Sequence, residues 1–390
     1  MIYLDNAATT YPKPPDVQRA VSEAMIHYGA NPGRGGHTMA MSTAERVYEC
    51  REALASLFHL ENPAGVVFTL NCTHALNMVI KGLLSDGGHA VITDCEHNSV
   101  VRPLAALATK GVSYTMVSVD PTRPYETAQR VRRAIRPTTR LILCTHASNV
   151  LGIRTPIRQI GQIAQKFHIP FAVDAAQSAG ILPLNMQRDH IDFLCMPGHK
   201  ALYGPMGTGV LLCRDGGALD TVMEGGTGSA SLRAEQPEEL PDRFESGTLN
   251  VPGICGLHAG VRWIKAHGTD TIAEHETALM RRLYDHLAGE RGLTLYSPHP
   301  DQSRVVPMLT LTVAGQPSEE TAAQLSTIGI AVRAGLHCAP SAHRFMGTVT
   351  NGAVRLCPSA YTTVVDVDTT AKILTQIARK ALQSAQSVIK

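Results

Sequence analysis

The sequence predicts an α/β protein: a large domain built on a mainly parallel sheet wrapped by helices, followed by a smaller α+β domain. Three observations predict it. Short apolar runs rich in β-branched residues recur through the first half of the chain, helix-period stretches separate several of them, and the texture changes from about Val251. The runs are continuous rather than alternating, the pattern of strands covered on both faces. With 390 residues and 44% hydrophobic content, the chain is long enough to bury a large core.

Taken in order, the strand candidates are GVVFTL from Gly65, HAVIT from His89, RLILCTH from Arg140, PFAVD from Pro170, IDFLCM from Ile191 and TGVLLC from Thr208. Between the first two, Thr73 to Ser85 reads as a helix, because Leu76, Val79, Ile80 and Leu83 share one 3.6-period face. Strand, helix, strand is the repeating unit, so binding groups are expected at strand ends and helix N-termini, and catalytic candidates on loops. Beyond Val251 come helical stretches at Gly253 to His267 and Thr271 to Gly289, strand candidates PMLTLTV and IAVRA, and a final helix from Asp368. The expected division is residues 1–15 as an N-terminal segment packing with the small domain, 16–250 as the large domain and 251–390 as the small one. FESGTLNVPG stands as the hinge, and no repeat or low-complexity linker interrupts the chain.

Composition excludes several function classes. Thirty-five basic against thirty-three acidic residues, with no long Lys/Arg run, argue against a nucleic-acid partner. The start MIYLDNAATTYPKPP lacks a signal-peptide pattern and no stretch reaches eighteen consecutive apolar residues, so a cytoplasmic protein with no membrane partner is expected. Nine cysteines without a C-x-x-C pair, and seventeen histidines without H-E-x-x-H, offer neither a disulfide framework nor a metal site.

The chemistry begins at PFAVDAAQSAG, where a buried strand ends in Asp174; a carboxylate there is costly unless paired. After the next strand comes MPGHKALYGP, so adjacent strand ends offer an acid and the amine of Lys200 to one place. Pyridoxal phosphate needs that pair: a lysine for its aldehyde and an aspartate to keep the pyridine nitrogen protonated. Alone, Asp174 reads equally well as a turn or N-cap acid, and Lys200 as a surface lysine in a turn. NCTHALN sets Asn71, Cys72 and Thr73 at a helix start, where free N–H groups favour an anion, as every capped helix does. His97, in DCEHNSV, reads either as a ring that stacks on a cofactor or as a structural histidine.

In their order and spacing, YLDNAATT, NPGRGGHT, EHNSV, HASNVLG, VDAAQSAG, PGHKALYGPMGTG, FESGTLN, RAGLHCAP and VRLCPSAYTT resemble the cysteine desulfurases, a class-V aminotransferase group of fold-type I pyridoxal-phosphate enzymes. The resemblance covers nearly the whole chain. It implies that pyridoxal 5'-phosphate is bound by the large domain, with Lys200 joined to its aldehyde, Asp174 on the pyridine nitrogen, His97 stacked on the ring and Gln177 on the phenolic oxygen. It implies further that the phosphate falls to Cys72, Thr73 and His199, with Thr248 reaching it from a partner subunit of a homodimer. Asn149, near the cofactor, and Arg355 would take the carboxylate of the substrate, L-cysteine.

Cys338 lies in AGLHCAPSAHRFMGT, an aperiodic, loop-like segment. Only a thiolate attacks sulfur well, so His337 or a cationic cofactor environment is a candidate activator. The stretch Arg333 to Ala339 matches the R-x-G-x-H-C-A loop of the resembled family, which implies that Cys338 is the nucleophile: it takes sulfur from L-cysteine, leaves alanine, and passes its persulfide to an acceptor protein or a reductant. Selenocysteine lyase activity, transamination of a small amino acid and an inactive scaffold are the alternatives. The sequence departs from the resembled pattern at Cys357, at Cys72 and in YTT after Ala360, and a second thiol near Arg355 is expected to complicate labelling of Cys338.

Overall fold

A computed structural model describes residues 1–33, 35–300 and 305–388. In chain order the strands are β1 (Ile2–Tyr3), β2 (Val66–Thr69), β3 (Gly88–Thr93), β4 (Val112–Val117), β5 (Thr139–Thr145), β6 (Phe171–Asp174), β7 (Phe193–Pro197), β8 (Gly209–Cys213), β9 (Leu293–Leu295), β10 (Leu309–Val313), β11 (Ile330–Ala331), β12 (Arg333–Gly335) and β13 (Ala353–Leu356). The helices are α1 (Pro15–His27), α2 (Thr38–Phe58), α3 (Cys72–Leu83), α4 (Asn98–Ala106), α5 (Pro124–Ala134), α6 (Ile157–Lys166), α7 (Val251–His267), α8 (Thr269–Leu287), α9 (Ser318–Thr327), α10 (Pro340–Met346) and α11 (Val364–Val388). The chain divides into two compact units. The larger holds residues 13–146 and 155–267; the smaller holds 1–12, 147–154 and 268–390.

In the larger unit the described strands form a seven-stranded sheet of order β2-β8-β7-β6-β5-β3-β4. β7, β6, β5, β3 and β4 pair in parallel, and β8 runs antiparallel between β2 and β7. The expected mainly parallel sheet is thus observed, because the six apolar runs are strands whose residues are almost all buried. Each fully buried Val, Leu or Ile contributes roughly 1.5–3 kcal/mol over its exposed state, which makes such runs the anchor of the fold. β4 escaped the sequence reading because it is an edge strand: VSYTMV leaves Ser113 and Tyr114 exposed, so it has no continuous apolar run.

α3 forms where the periodicity requires it. Asn71 caps it by accepting from the His74 N–H at 2.9 Å, and Leu76, Val79, Ile80 and Leu83 are buried against Val67, Leu104 and Leu141. α7 packs on α1 and α2, so the contact boundary falls after this helix, at His267, and not at FESGTLNVPG before it.

The smaller unit is built on a four-stranded antiparallel sheet, β12-β13-β10-β9, with a core of Leu283, Leu309, Leu311, Val354 and Leu374. IAVRA is not one strand: β11 pairs in parallel with β1, while β12 turns to pair with β13. The switch of partner at Val332 divides it.

Candidate active site

Within the larger unit, the carboxyl ends of β2, β3, β6 and β7 point the same way, so the segments that follow them collect at one end of the sheet. β6 ends on Asp174, which is 2% exposed and lies in register with Cys195 of β7. Its Oδ1 accepts from the Ala176 N–H at 2.8 Å and from the Cys72 thiol at 3.5 Å. No described residue bonds Oδ2. A buried carboxylate with one oxygen saturated and the other open is arranged for an additional donor.

Lys200 stands in the turn after β7, and its carbonyl accepts from the Tyr203 N–H at 2.8 Å. The turn demands glycine at two close approaches. A Cβ on Gly180, whose φ is +88°, would meet the Ala201 carbonyl oxygen at 2.3 Å, and one on Gly198 would meet Thr208 Oγ1 at 2.2 Å. The Lys200 charge acts on both the Cys72 thiol and the His199 ring, which puts the amine, the thiol and the Asp174 carboxylate in one cluster. Burial, reinforced by Asp174, pushes the Cys72 thiol well up, so it remains a protonated donor. The sequence reading gave Cys72 a backbone role toward phosphate; its side chain has a separate partner.

At the mouth of α3, the Asn71 cap takes the His74 N–H, and the Cys72 and Thr73 N–H groups remain at the N-terminus beside the exposed Thr73 side chain. His97 caps α4: its Nδ1 accepts from the Ser99 N–H at 3.1 Å, so the neutral ring carries its proton on Nε2. Capping fixes the ring edge. Gln177 is buried in the turn that follows Asp174. His199 is lowered to about 4 by burial and then by Lys200 and Lys13, which keeps it neutral near pH 7. Thr248 is exposed on a loop, where it lines a cavity of about 270 Å³ with Leu70, His74 and Asn250 of the same chain.

Two residues of this unit carried no weight in the sequence reading. Lys13, lowered to about 7 by burial, donates from Nζ to the His199 carbonyl at 2.6 Å. Its only signal is a lysine between two prolines. Glu96, next to His97, accepts at Oε1 from Thr93 Oγ1 at 2.6 Å and from the Thr145 N–H at 2.9 Å, while Oε2 is buried without a partner. Burial raises it to about 8, a protonated acid at neutral pH.

The smaller unit holds Asn149, Arg355 and Cys338. Arg355, expected to bind the substrate carboxylate, lies within β13, paired with Thr310 and Arg333. It escaped as a strand residue because AVRL is only four residues long. Arg355 is 3% exposed; it donates to the Asn149 carbonyl at 2.8 Å and to Asp5 Oδ1 at 3.2 Å. Burial pulls the guanidinium below its ordinary value and Asp5 opposes that shift. Arg355 Nε and Asn149 Oδ1 are buried with no partner, an unspent donor and acceptor on a pair of bonded residues. Asp5, from YLDNAATT, therefore pre-pairs the arginine, a contact that a separation of 350 positions hides from sequence reading.

Cys338 is exposed, whereas Cys255 is half-buried and the other seven cysteines are buried, Cys357 among them. The expected interference from Cys357 in labelling therefore does not arise from an accessible thiol. His337 and Cys338 both adopt left-handed backbone, with φ of 50° and 56°. Such residues cost of order 1–3 kcal/mol each and persist only where their surroundings impose them. His337 is lowered to about 3 by burial and then by Arg355, so it is neutral and cannot supply the positive charge that the sequence reading allowed it.

The aminotransferase class-V family model matches residues 2–370. A probable cysteine desulfurase of Methanothermobacter thermautotrophicus is 32% identical over 97% of this chain and 94% of the relative. A cysteine desulfurase of Escherichia coli is 30% identical over 87% of this chain and 84% of its own. Among solved structures, the apo cysteine desulfurase from Thermococcus onnurineus NA1 superposes with a TM-score of 0.89 at 31% identity, covering 97% of this chain and 95% of that one.

Proposed function

The chain belongs to the aminotransferase class-V family and, within it, to the cysteine desulfurases, and on that premise we propose that it converts L-cysteine to L-alanine and carries the sulfur away on Cys338. The observation that carries the reading is the pairing of two unlike sets of groups in one chain. The larger unit clusters a buried carboxylate, a lysine amine and a helix mouth; the smaller has a buried arginine and the exposed thiol.

The first set fits pyridoxal 5'-phosphate. Asp174 Oδ2 is open to a ring nitrogen, the Cys72 and Thr73 N–H groups suit a phosphate, and His97 offers a ring held at its edge. His199 and Gln177 complete the cradle on this reading, with Thr248 of the partner subunit in a homodimer. When bound, the cofactor supplies an aldehyde that captures amines and a ring that takes up negative charge from the α-carbon.

The protein's own groups do the rest. Lys200 would hold the cofactor through its aldehyde, and its Nζ would take the substrate's α-proton. Asp174 keeps a proton on the ring nitrogen, a task for which a buried anion is suited. Arg355, already oriented by Asp5 and the Asn149 carbonyl, takes the substrate carboxylate with its remaining N–H groups, and the Asn149 amide lies beside it. The Cys338 thiolate attacks the substrate sulfur: an S–S bond forms, the C–S bond breaks, and its electron pair stays on the β-carbon; one proton taken up there and return of the α-proton from Lys200 Nζ complete alanine. The resulting persulfide, exposed as Cys338 is, goes to an acceptor protein or a reductant.

The test is incubation with L-cysteine, with assay for alanine and mass analysis of the peptide bearing Cys338. A gain of one sulfur on that peptide, and loss of sulfide release in Cys338→Ser with the yellow cofactor retained, is the expected result. Unchanged sulfide release in Cys338→Ser overturns the assignment, and keto acid release in place of alanine would indicate transamination. Parallel turnover of selenocysteine ranks the two chalcogen substrates. Among the described residues no helix is long and apolar enough to cross a membrane. Nine unpaired thiols suit a reducing cytoplasm.

A further inference from the structure

The backbone at His337 and Cys338 raises a physical question, because two successive non-glycine residues in the left-handed region need something to hold them there. The surroundings provide a chain of hydrogen bonds whose direction is fixed by chemistry. His337 Nε2 faces the Arg333 carbonyl at 3.4 Å, and a carbonyl only accepts, so Nε2 carries the proton. In a neutral ring Nδ1 is then an acceptor, and its partner at 3.2 Å, His343 Nε2, must be the donor. His343 Nδ1 is left as an acceptor in turn, so the Thr348 hydroxyl, 2.8 Å away, donates to it.

The chain thus runs one way, from Thr348 through His343 and His337 to the strand carbonyl of Arg333. Both imidazoles are buried, His343 completely, and their ring planes are within 16° of parallel, with centroids 5.4 Å apart. Burial lowers both histidines, which is consistent with neutral rings throughout. The His337 carbonyl is gripped independently by the Asn149 amide at 2.6 Å. Residue 337 is therefore fixed at its side chain and its carbonyl, and the next residue is the exposed thiol.

We propose that Thr348 and His343 are positioning residues for Cys338: acting through His337, they hold the thiol-bearing loop in its left-handed conformation. Neither touches the reacting atoms. The inference rests on Cys338 being the sulfur-accepting thiol, and it adds that this thiol's placement is set by a uniquely oriented relay running from Thr348 back to Arg333, not by the loop's own preference.

Thr348→Val keeps the side-chain shape and removes the donor, whereas Thr348→Ser keeps the donor. The full-length enzyme with its cofactor is compared in three forms by hydrogen exchange of the peptide spanning Leu336 to Phe345, by alkylation of Cys338 and by turnover of L-cysteine. Thr348→Val is expected to speed exchange in that peptide by about tenfold, equivalent to roughly 1.4 kcal/mol of local opening. Its kcat falls by a similar factor of about ten, while KM for cysteine and the cofactor spectrum stay unchanged. Its alkylation rate also departs from the parent's, and Thr348→Ser restores all three.

Equal exchange and equal alkylation in Thr348→Val and the parent would overturn the inference even if activity fell. Persistent activity in Cys338→Ser would overturn the underlying reading instead. Should Thr348→Val fail to fold, nitrogen NMR of the histidines in the parent enzyme decides. Protons on Nε2 of both His337 and His343 support the relay, and a proton on Nδ1 of His343 overturns it.

Discussion

The two units place their functional groups by different physical means. In the larger one, Asp174, Lys200, Cys72 and His97 sit at or just beyond the ends of regular elements, so the sheet and the helix mouths determine their positions. In the smaller one, Cys338 sits in backbone that its own residue type disfavours, and Arg355 is held by partners distant in sequence. Regular backbone holds a group without help from neighbouring side chains. An irregular loop has to be held by specific bonds, and these are the points at which it can be released.

The difference ranks the expected effects of substitution. The largest falls at the element ends: Lys200→Ala should lower desulfuration by at least about 10³-fold, the upper range for a general acid–base group, with circular dichroism unchanged. Retained turnover would mean that the turn after β7 does not carry the chemistry. Arg355→Lys keeps a cation for Asp5 but loses the planar fork, so KM for cysteine should rise about 10- to 100-fold and kcat much less. A fall in kcat alone would show that the arginine acts on Asp5 and Asn149 and not on the substrate.

Cys72→Ala sharpens the comparison within the larger unit. It removes the thiol that donates to Asp174 Oδ1 but leaves the helix N–H groups, so kcat should change by less than about fivefold, a long thiol-to-carboxylate hydrogen bond from a weak donor being worth about 1 kcal/mol or less. The cofactor's visible absorbance, in contrast, should shift its titration upward, because Asp174 becomes a stronger partner for a protonated ring. An unmoved titration curve would show that the thiol does not influence the carboxylate.

The smallest effect concerns stability alone. Glu276, on α8, is raised to about 8 by burial, and its Oε2 has no partner. A carboxyl whose folded value lies above its unfolded value, about 4.5, binds more protons when folded, so its contribution is fully present below about 4.5 and is lost as pH rises toward 8. Urea unfolding should therefore show Glu276→Gln losing less stability than the parent between these pH values. Parallel curves would mean that Glu276 ionises freely in the folded chain.

Much of the larger unit was legible in the sequence because its signals are local. Six apolar runs became strands, and the periodic face of Thr73 to Ser85 became α3. The edge strand β4 and the short strand of Arg355 were not, since half-exposed or four-residue segments carry too little pattern to be read. Cys338 was legible as a residue but its conformation was not.

By itself, then, the sequence determined which residue types stand at the ends of which strands, because hydrophobic periodicity and strand punctuation are written in neighbouring positions. Tertiary structure alone decided that Asp5 pairs with Arg355, that the Cys72 thiol serves Asp174, that His337 is neutral, and that His343 and Thr348 stand behind Cys338. Those facts depend on distance, burial and the direction of each hydrogen bond, quantities that come into being only when remote segments of the chain are brought into contact.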